Sequence, residues 1–154
     1  MIFNFEFAVP ANTPASSPKR QTFEVCYGLI YRIEIQFPPG CAGLAYQRIL
    51  DGGHQVYPSN QGEFFHLDGM VVAFDDVLLK AVDPFELIFE GYNLDDTWPH
   101  TIYTRIGIAD KDIYMARFLP SVTWDKLIDA LKSEKSLQQA AGAASLTVLQ
   151  ETFK

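Results

Sequence analysis

Three histidines are the first residues in this sequence that could do chemistry, because imidazole is a common ligand of transition metals. They are His54, His66 and His100, and each lies near the end of a predicted strand. A three-histidine site of the cupin type has a His-x-His pair and a downstream carboxylate, but no His-x-His pair occurs in this sequence. The spacing therefore favours separate strand-end histidines, and we predict no metal ligand.

Two acidic pairs, Asp75–Asp76 and Asp95–Asp96, are a second candidate for chemistry. Two carboxylates across a cleft can hydrolyse a glycosidic bond, and carboxylates in loops can hold Ca²⁺. Aspartate is also favoured in turns, because its side chain accepts hydrogen bonds from nearby backbone amides. We expect turns at both pairs. The sequence has no nucleophile elbow, phosphate loop, zinc-protease or dinucleotide-binding motif, so we predict a non-enzyme without catalytic or cofactor-binding residues.

An aromatic and polar loop at residues 92–100 is the best candidate for binding a ligand. It contains Tyr92, Asp95, Trp98 and His100 within nine residues. Aromatic rings beside aspartate and asparagine side chains are typical of sugar-stacking surfaces in carbohydrate-binding sandwiches. Aromatic residues on strands are also common as core residues or cross-strand partners. Both interpretations stay open from the sequence.

The segments that carry these residues alternate apolar and polar side chains. Residues 31–37, 85–90 and 102–108 each show a period of two, which places successive side chains on opposite faces of a sheet. Clusters of glycine, proline, asparagine and aspartate between them predict turns. We therefore predict a mainly β protein, an antiparallel β-sandwich or jelly roll of about eight strands with a short C-terminal helical tail.

Two parts of the sheet region can be predicted in more detail. Residues 22–37 are expected to form one long strand or two, with Gly28 at a bulge or bend. Three short strands are expected later in the chain, with a turn at Asp75–Asp76 before the last of them: 64–67, 70–74 and 77–80.

The N-terminal residues 1–20 are predicted to form an arm and a linker. Phe3, Phe5 and Phe7 fall on one side of a short strand, and a Pro/Ser-rich segment, 9–18, follows. Such a strand can complete its own sheet or add to the sheet edge of a neighbour. We expect the neighbour, because a proline-rich spacer favours projection, and we assign the three phenylalanines to a protein interface.

The β-sandwich domain is predicted to span residues 21–118, and a helical C-terminal tail to span residues 119–154. Within residues 121–132 the apolar side chains recur at helical spacing, and Pro120 precedes them. This stripe is expected to pack on the sandwich or on another subunit, and its interface residues are Trp124, Leu127 and Leu131.

Composition excludes some partners. The net charge is -7 at pH 7, which disfavours contact with nucleic-acid phosphates and with anionic lipid. The N-terminus has no signal-peptide pattern and no segment is a membrane span, so a soluble protein made in the cytoplasm is expected. The two cysteines, Cys26 and Cys41, are expected to be buried thiols or to form one disulfide.

The layout of four segments resembles small β-sandwich proteins of viral particles. These segments are Ile33–Leu44, His54–Pro58, Leu87–Asn93 and Pro99–Ile102. In particular, residues from about 25 to 109 resemble capsid decoration, or cement-type, proteins of tailed phages. The resemblance implies a sandwich that binds the outer shell, often as a trimer, with a terminal arm reaching a neighbour, and it implies no catalytic residue.

Three functions follow from these observations. The leading hypothesis is a structural assembly protein located in the virion, made in the host cytoplasm, whose partners are the major capsid protein or copies of itself. The second is a carbohydrate-binding module that uses the loop at 92–100, and the third is a cupin-type metalloenzyme. A cytoplasmic location is the alternative to the virion.

Overall fold

The computed structural model describes residues 1–118, 125–126 and 129. The chain divides into two compact units, Met1–Lys111 and Asp112–Lys154. A helix, α1 (Lys111–Phe118), follows the strands, and none of the helices in the described residues is long and apolar enough to span a membrane. The eight strands are β1 (Ile2–Val9), β2 (Lys19–Glu24), β3 (Gly28–Gln36), β4 (Ala45–Asp51), β5 (His54–Tyr57), β6 (Val71–Lys80), β7 (Glu86–Asn93) and β8 (His100–Ala109).

The strands form two four-stranded antiparallel sheets with jelly-roll connectivity. The first sheet has the order β1-β8-β3-β6 and the second has the order β2-β7-β4-β5. The first strand thus pairs with the eighth, the second with the seventh, the third with the sixth and the fourth with the fifth. A jelly roll has eight strands in two sheets, with Greek-key connections. The predicted fold class, an antiparallel sandwich or jelly roll, is confirmed.

The core lies between the two sheets and consists of the inward-facing positions of the alternating strands. In β3, for example, Ile33 and Ile35 are fully buried, whereas Arg32, Glu34 and Gln36 stay partly exposed. Each fully buried large apolar side chain contributes about 1.5–3 kcal/mol to stability. The largest buried side chains also include Phe7, Phe37, Ile49, Leu87, Phe89, Ile102 and Ile106.

Polar contacts also join the two sheets, and two of them, within the described residues, are made between side chains. The Gln47 side-chain amide of β4 donates a 3.0 Å hydrogen bond to the Thr104 hydroxyl of β8, and both residues are fully buried. The ammonium of Lys80 at the end of β6 forms an ion pair with Asp51 at the end of β4. Since a buried polar group is costly when it has no partner, each contact fixes how the two sheets are aligned.

The N-terminal strand pairs within its own sheet in this chain, while its exchange with a neighbouring copy stays a prediction. β1 pairs with β8 over its whole length, from Ile2 opposite Gly107 to Val9 opposite His100. The linker that follows is also held: the backbone of Asn12 donates to Asp95, and Asn93 donates to Thr13. A proline-rich spacer with such contacts folds back instead of projecting.

Phe3, Phe5 and Phe7 pack inward on the core of this chain, and their predicted role in an interface stays a prediction. Phe7 is fully buried, and its ring lies 6.1 Å from the ring of Phe89 in an edge-to-face arrangement. Phe5 contacts Phe89 and Phe23, while Phe3 packs against the core from a partly buried position. The β-sandwich consequently begins at β1, and the predicted boundary at residue 21 lies inside the first unit.

The segments around β2, β3 and β6 refine the predicted strands. Residues 19–36 form two strands, and Gly28, with a φ of 150°, begins the second of them directly after a bend. The register shift in β3 falls later, between Ile30 and Arg32. β6 is one strand of ten residues, so the turn predicted at Asp75–Asp76 is wrong. Arg32 of the neighbouring β3 donates a 2.9 Å hydrogen bond to Asp75, and this cross-strand pair accommodates a carboxylate within a strand.

The predicted stripe at Trp124, Leu127 and Leu131 lies outside the described residues. The helix that the structure does describe, α1, begins earlier, and Asp112 in its first turn lies where a negative charge favours a helix N-terminus.

Candidate functional site

The loop between β7 and β8 is organised by Asp95. One carboxylate oxygen of Asp95 accepts hydrogen bonds from the backbone amides of Thr97 at 2.8 Å and Trp98 at 3.0 Å. The other oxygen lies 2.9 Å from Nε2 of His100. These contacts confirm a turn at Asp95–Asp96, and they make Asp95 and His100 structural partners within the loop.

The contacts of Asp95 make this loop sensitive to acid. The hydrogen bonds from the Thr97 and Trp98 amides, and then the bond from His100, lower the pKa of Asp95 below its ordinary value. The stabilisation is therefore present above the unfolded-state pKa of about 3.9 and is lost as the pH falls through the lower folded-state pKa.

We predict faster hydrogen exchange at the backbone amide of Trp98, after correction for intrinsic rates, as the pH is lowered below about 4. NMR would measure it. The Asp95→Asn variant cannot ionise at this position, so the corrected exchange rate of its Trp98 amide should not change with pH in this range. Identical corrected pH profiles in the two proteins would contradict the role of Asp95.

Tyr92 and Trp98 do not stack side by side, the arrangement that the carbohydrate-binding hypothesis requires. Tyr92 lies on β7, where its ring stacks on Tyr46 of β4 at a centroid distance of 4.1 Å. Trp98 is 66% exposed in the loop, and no ring contact joins it to Tyr92 within the described residues. The ring row beside Tyr92 continues to His66, whose ring lies 4.7 Å from Tyr46.

A buried carboxylate lies beside this aromatic row on the outer face of the second sheet. Glu90 of β7 is fully buried, and it forms ion pairs with Arg20 of β2 and Arg48 of β4. The Arg48 guanidinium also lies 4.4 Å from the centre of the Phe64 ring, which is a cation–π contact. Alternation alone places Glu90 on a wet face, so the sequence did not reveal this cluster.

The edge strand β6 carries the most conspicuous apolar surface of the described residues. β6 pairs with β3 on one side and lies at the edge of the first sheet. Five large apolar side chains between positions 70 and 82 are exposed, three on β6 and one on each side of it. They are Met70, Val71, Val77, Leu79 and Val82.

An open cavity of about 310 Å³ lies next to β6, where the edges of the two sheets approach each other. Residues 57–59 from the end of β5, Phe65 from the following loop and residues 74–76 of β6 line it. A second cavity of about 380 Å³ shares Tyr57, Ser59 and Asp76 with the first and extends along both strands. Because three separate segments build this groove, no local sequence pattern marks it.

The histidines and cysteines have separate surroundings. His54 is exposed at the start of β5, His66 stacks on Tyr46, and His100 contacts Asp95. In the described part of the chain, no three His, Cys, Asp or Glu side chains are grouped so that they could hold a metal ion. Cys26 and Cys41 are free thiols, and the Cys41 thiol donates to the Leu67 carbonyl at 3.0 Å.

A comparison with protein-family models finds no match for this chain, and a search of curated proteins finds none either. The proposal for its function therefore rests on the geometry of the described residues.

Proposed function

We propose that this protein is a structural assembly protein of a virus particle, which decorates or cements a capsid through contacts with the shell protein. The observation that supports it most is the exposed apolar surface of the edge strand β6. An edge strand with unpaired backbone groups is a template for another chain, and an exposed apolar patch is typical of a protein interface. The jelly roll occurs in viral capsid proteins but also in lectins, so the fold supports the proposal by analogy alone.

The charges on β6 favour a different protein over a second copy as the partner of this edge. Asp75 and Asp76 lie at the middle of the ten-residue strand and are both exposed. Two copies paired antiparallel about the middle of β6 would bring these carboxylates opposite each other, and like charges opposite each other destabilise a sheet. A shell segment with basic side chains avoids this repulsion.

The proposal predicts that the full chain binds shells assembled from the major capsid protein that the same genome encodes. Val77→Glu should weaken binding about tenfold or more, because Val77 is 65% exposed on β6 and its burial would be lost. Ile2→Glu is the matched control, since Ile2 is 72% exposed on β1 at the opposite edge of the same sheet. Co-sedimentation would give the affinities, and light scattering would give the oligomeric state.

Two outcomes would contradict the proposal. The first is a wild-type protein that stays monomeric and binds no shell. The second is equal loss of binding in Val77→Glu and Ile2→Glu. Binding to a glycan array that disappears in Trp98→Ala would instead favour the carbohydrate-binding hypothesis, for which the exposed Trp98 ring is the favourable observation.

A further inference from the structure

The cavity beside β6 is an aromatic pocket with an acidic rim. The Phe74 ring lies 5.5 Å from the Tyr57 ring and 6.0 Å from the Phe65 ring, measured between centroids. All three residues line the cavity, and the exposed carboxylates of Asp75 and Asp76 lie beside them. Aromatic faces attract cations through their negative electrostatic potential, and the attraction grows when water is excluded.

The carboxylates of Asp75 and Asp76 differ in whether a positive charge neutralises them. Asp75 forms an ion pair with Arg32 at 2.9 Å. Asp76 accepts a hydrogen bond from the backbone amide of Val77, and it forms no ion pair with a described residue. Asp76 is therefore the carboxylate with a negative charge left to neutralise, and it lies at a strand edge that a partner can reach.

The floor of the pocket contains a polar group without a partner. The Tyr57 hydroxyl is buried, and within the described residues it makes no hydrogen bond. Burial, and to a smaller extent the neighbouring Asp76 carboxylate, raise the pKa of Tyr57, although the two groups do not meet in hydrogen-bonding geometry. A buried hydroxyl without a partner is unusual, and it is consistent with a ligand group that supplies the missing hydrogen bond.

We infer that this pocket binds the lysine or arginine side chain of a partner protein. The aliphatic part of the side chain packs between Phe65 and Phe74, its charged end donates to the Tyr57 hydroxyl, and Asp76 neutralises the charge. The second cavity, which shares Tyr57 and Asp76, holds the extended backbone of the same segment. This inference rests on the proposed function, since it names the chemistry by which β6 recognises the shell protein.

Titration with three short peptides tests the inference on the full chain. The peptides are acetyl-Ala-Lys-Ala-amide, acetyl-Ala-Arg-Ala-amide and acetyl-Ala-norleucine-Ala-amide, and the readout is the amide NMR shifts of Tyr57, Ser59 and residues 74–76. The lysine and arginine peptides should give saturable shifts at these residues, whereas the uncharged norleucine peptide should not. Equal binding of the norleucine peptide would overturn the inference.

Two variants and a control identify the side chains that bind the basic peptides. Asp76→Asn should weaken binding of the basic peptides about tenfold or more, because a hydrogen bond to a charged group is lost. Tyr57→Phe keeps the ring and the fold, and it should weaken binding by a smaller factor. Glu6→Gln removes an exposed carboxylate from the distant β1 edge and should leave the affinity unchanged. An affinity that Asp76→Asn leaves unchanged would overturn the inference.

The same variants separate this inference from the proposed function. Shell binding that is lost in Val77→Glu but unaffected by Asp76→Asn would support assembly through β6 and overturn the cation pocket. Saturable binding of the basic peptides that Asp76→Asn abolishes would support the pocket even where the shell itself is not bound.

Discussion

Replacing Glu90 with glutamine is expected to destabilise the β-sandwich by about 3 kcal/mol, the largest effect that we predict for a polar residue. Glu90 is fully buried and forms ion pairs with both Arg20 and Arg48. Removing its charge leaves the Arg48 guanidinium, whose side chain is only 20% exposed, without a counter-charge. A charged group that has lost both its hydration and its ion-pair partner destabilises the folded state far more than a charged group that keeps either.

Urea unfolding of the wild type and the variant would measure this loss, and Arg20→Gln is the matched control. The Arg20 side chain is 66% exposed, so water replaces its ion pair, and about 1 kcal/mol or less should be lost. A destabilisation of Glu90→Gln no larger than that of Arg20→Gln would show that the carboxylate is not effectively buried.

Phe7→Ala is expected to destabilise the protein by about 3–5 kcal/mol, and removal of residues 1–9 should prevent folding of the β-sandwich. The Phe7 ring fills space between β1 and β7, where a Cβ added at Gly91 would lie only 2.7 Å from it. Replacing the Phe7 ring by the methyl group of alanine therefore leaves a cavity at a tightly packed contact. Deletion of β1 would in addition expose the edge of β8 and its apolar side chains.

Thermal and urea unfolding would test the role of Phe7, with Glu6→Ala as the control on the exposed face of the same strand. The control should change stability by less than about 0.5 kcal/mol. Measurement over a range of protein concentrations adds a further test. An unfolding midpoint that rises with protein concentration, together with a folded domain after deletion of residues 1–9, would show that β1 is exchanged between copies.

The sequence alone predicted the strands at 31–37, 85–90 and 102–108, because alternation is a local property. In β3 and β8 the positions that the pattern assigns to the inside, such as Ile33 and Ile106, are fully buried. Turn chemistry was also readable at Asp95, whose carboxylate bonds to amides two and three residues later. Local patterns thus predicted the fold class and one acidic turn.

Only the tertiary structure decided which strands pair and which polar residues become buried. The pairing of β1 with β8 joins segments about a hundred residues apart, and the spacing of apolar residues carries no information about such partners. Glu90 is buried on an outer face because Arg20 and Arg48 lie on the neighbouring strands, and alternation describes only the strand that carries Glu90.

The pocket beside β6 was also decided by the tertiary structure alone. Tyr57, Phe65 and Asp76 are far enough apart in the chain that no motif links them, and they meet because the edges of two sheets converge. Asp75–Asp76 read as a turn because aspartate is common in turns, but the pairing of Asp75 with Arg32 on β3 keeps the chain extended. Side-chain periodicity is set within a strand, whereas strand partners and the groups they bring together are set by the packing of the whole domain.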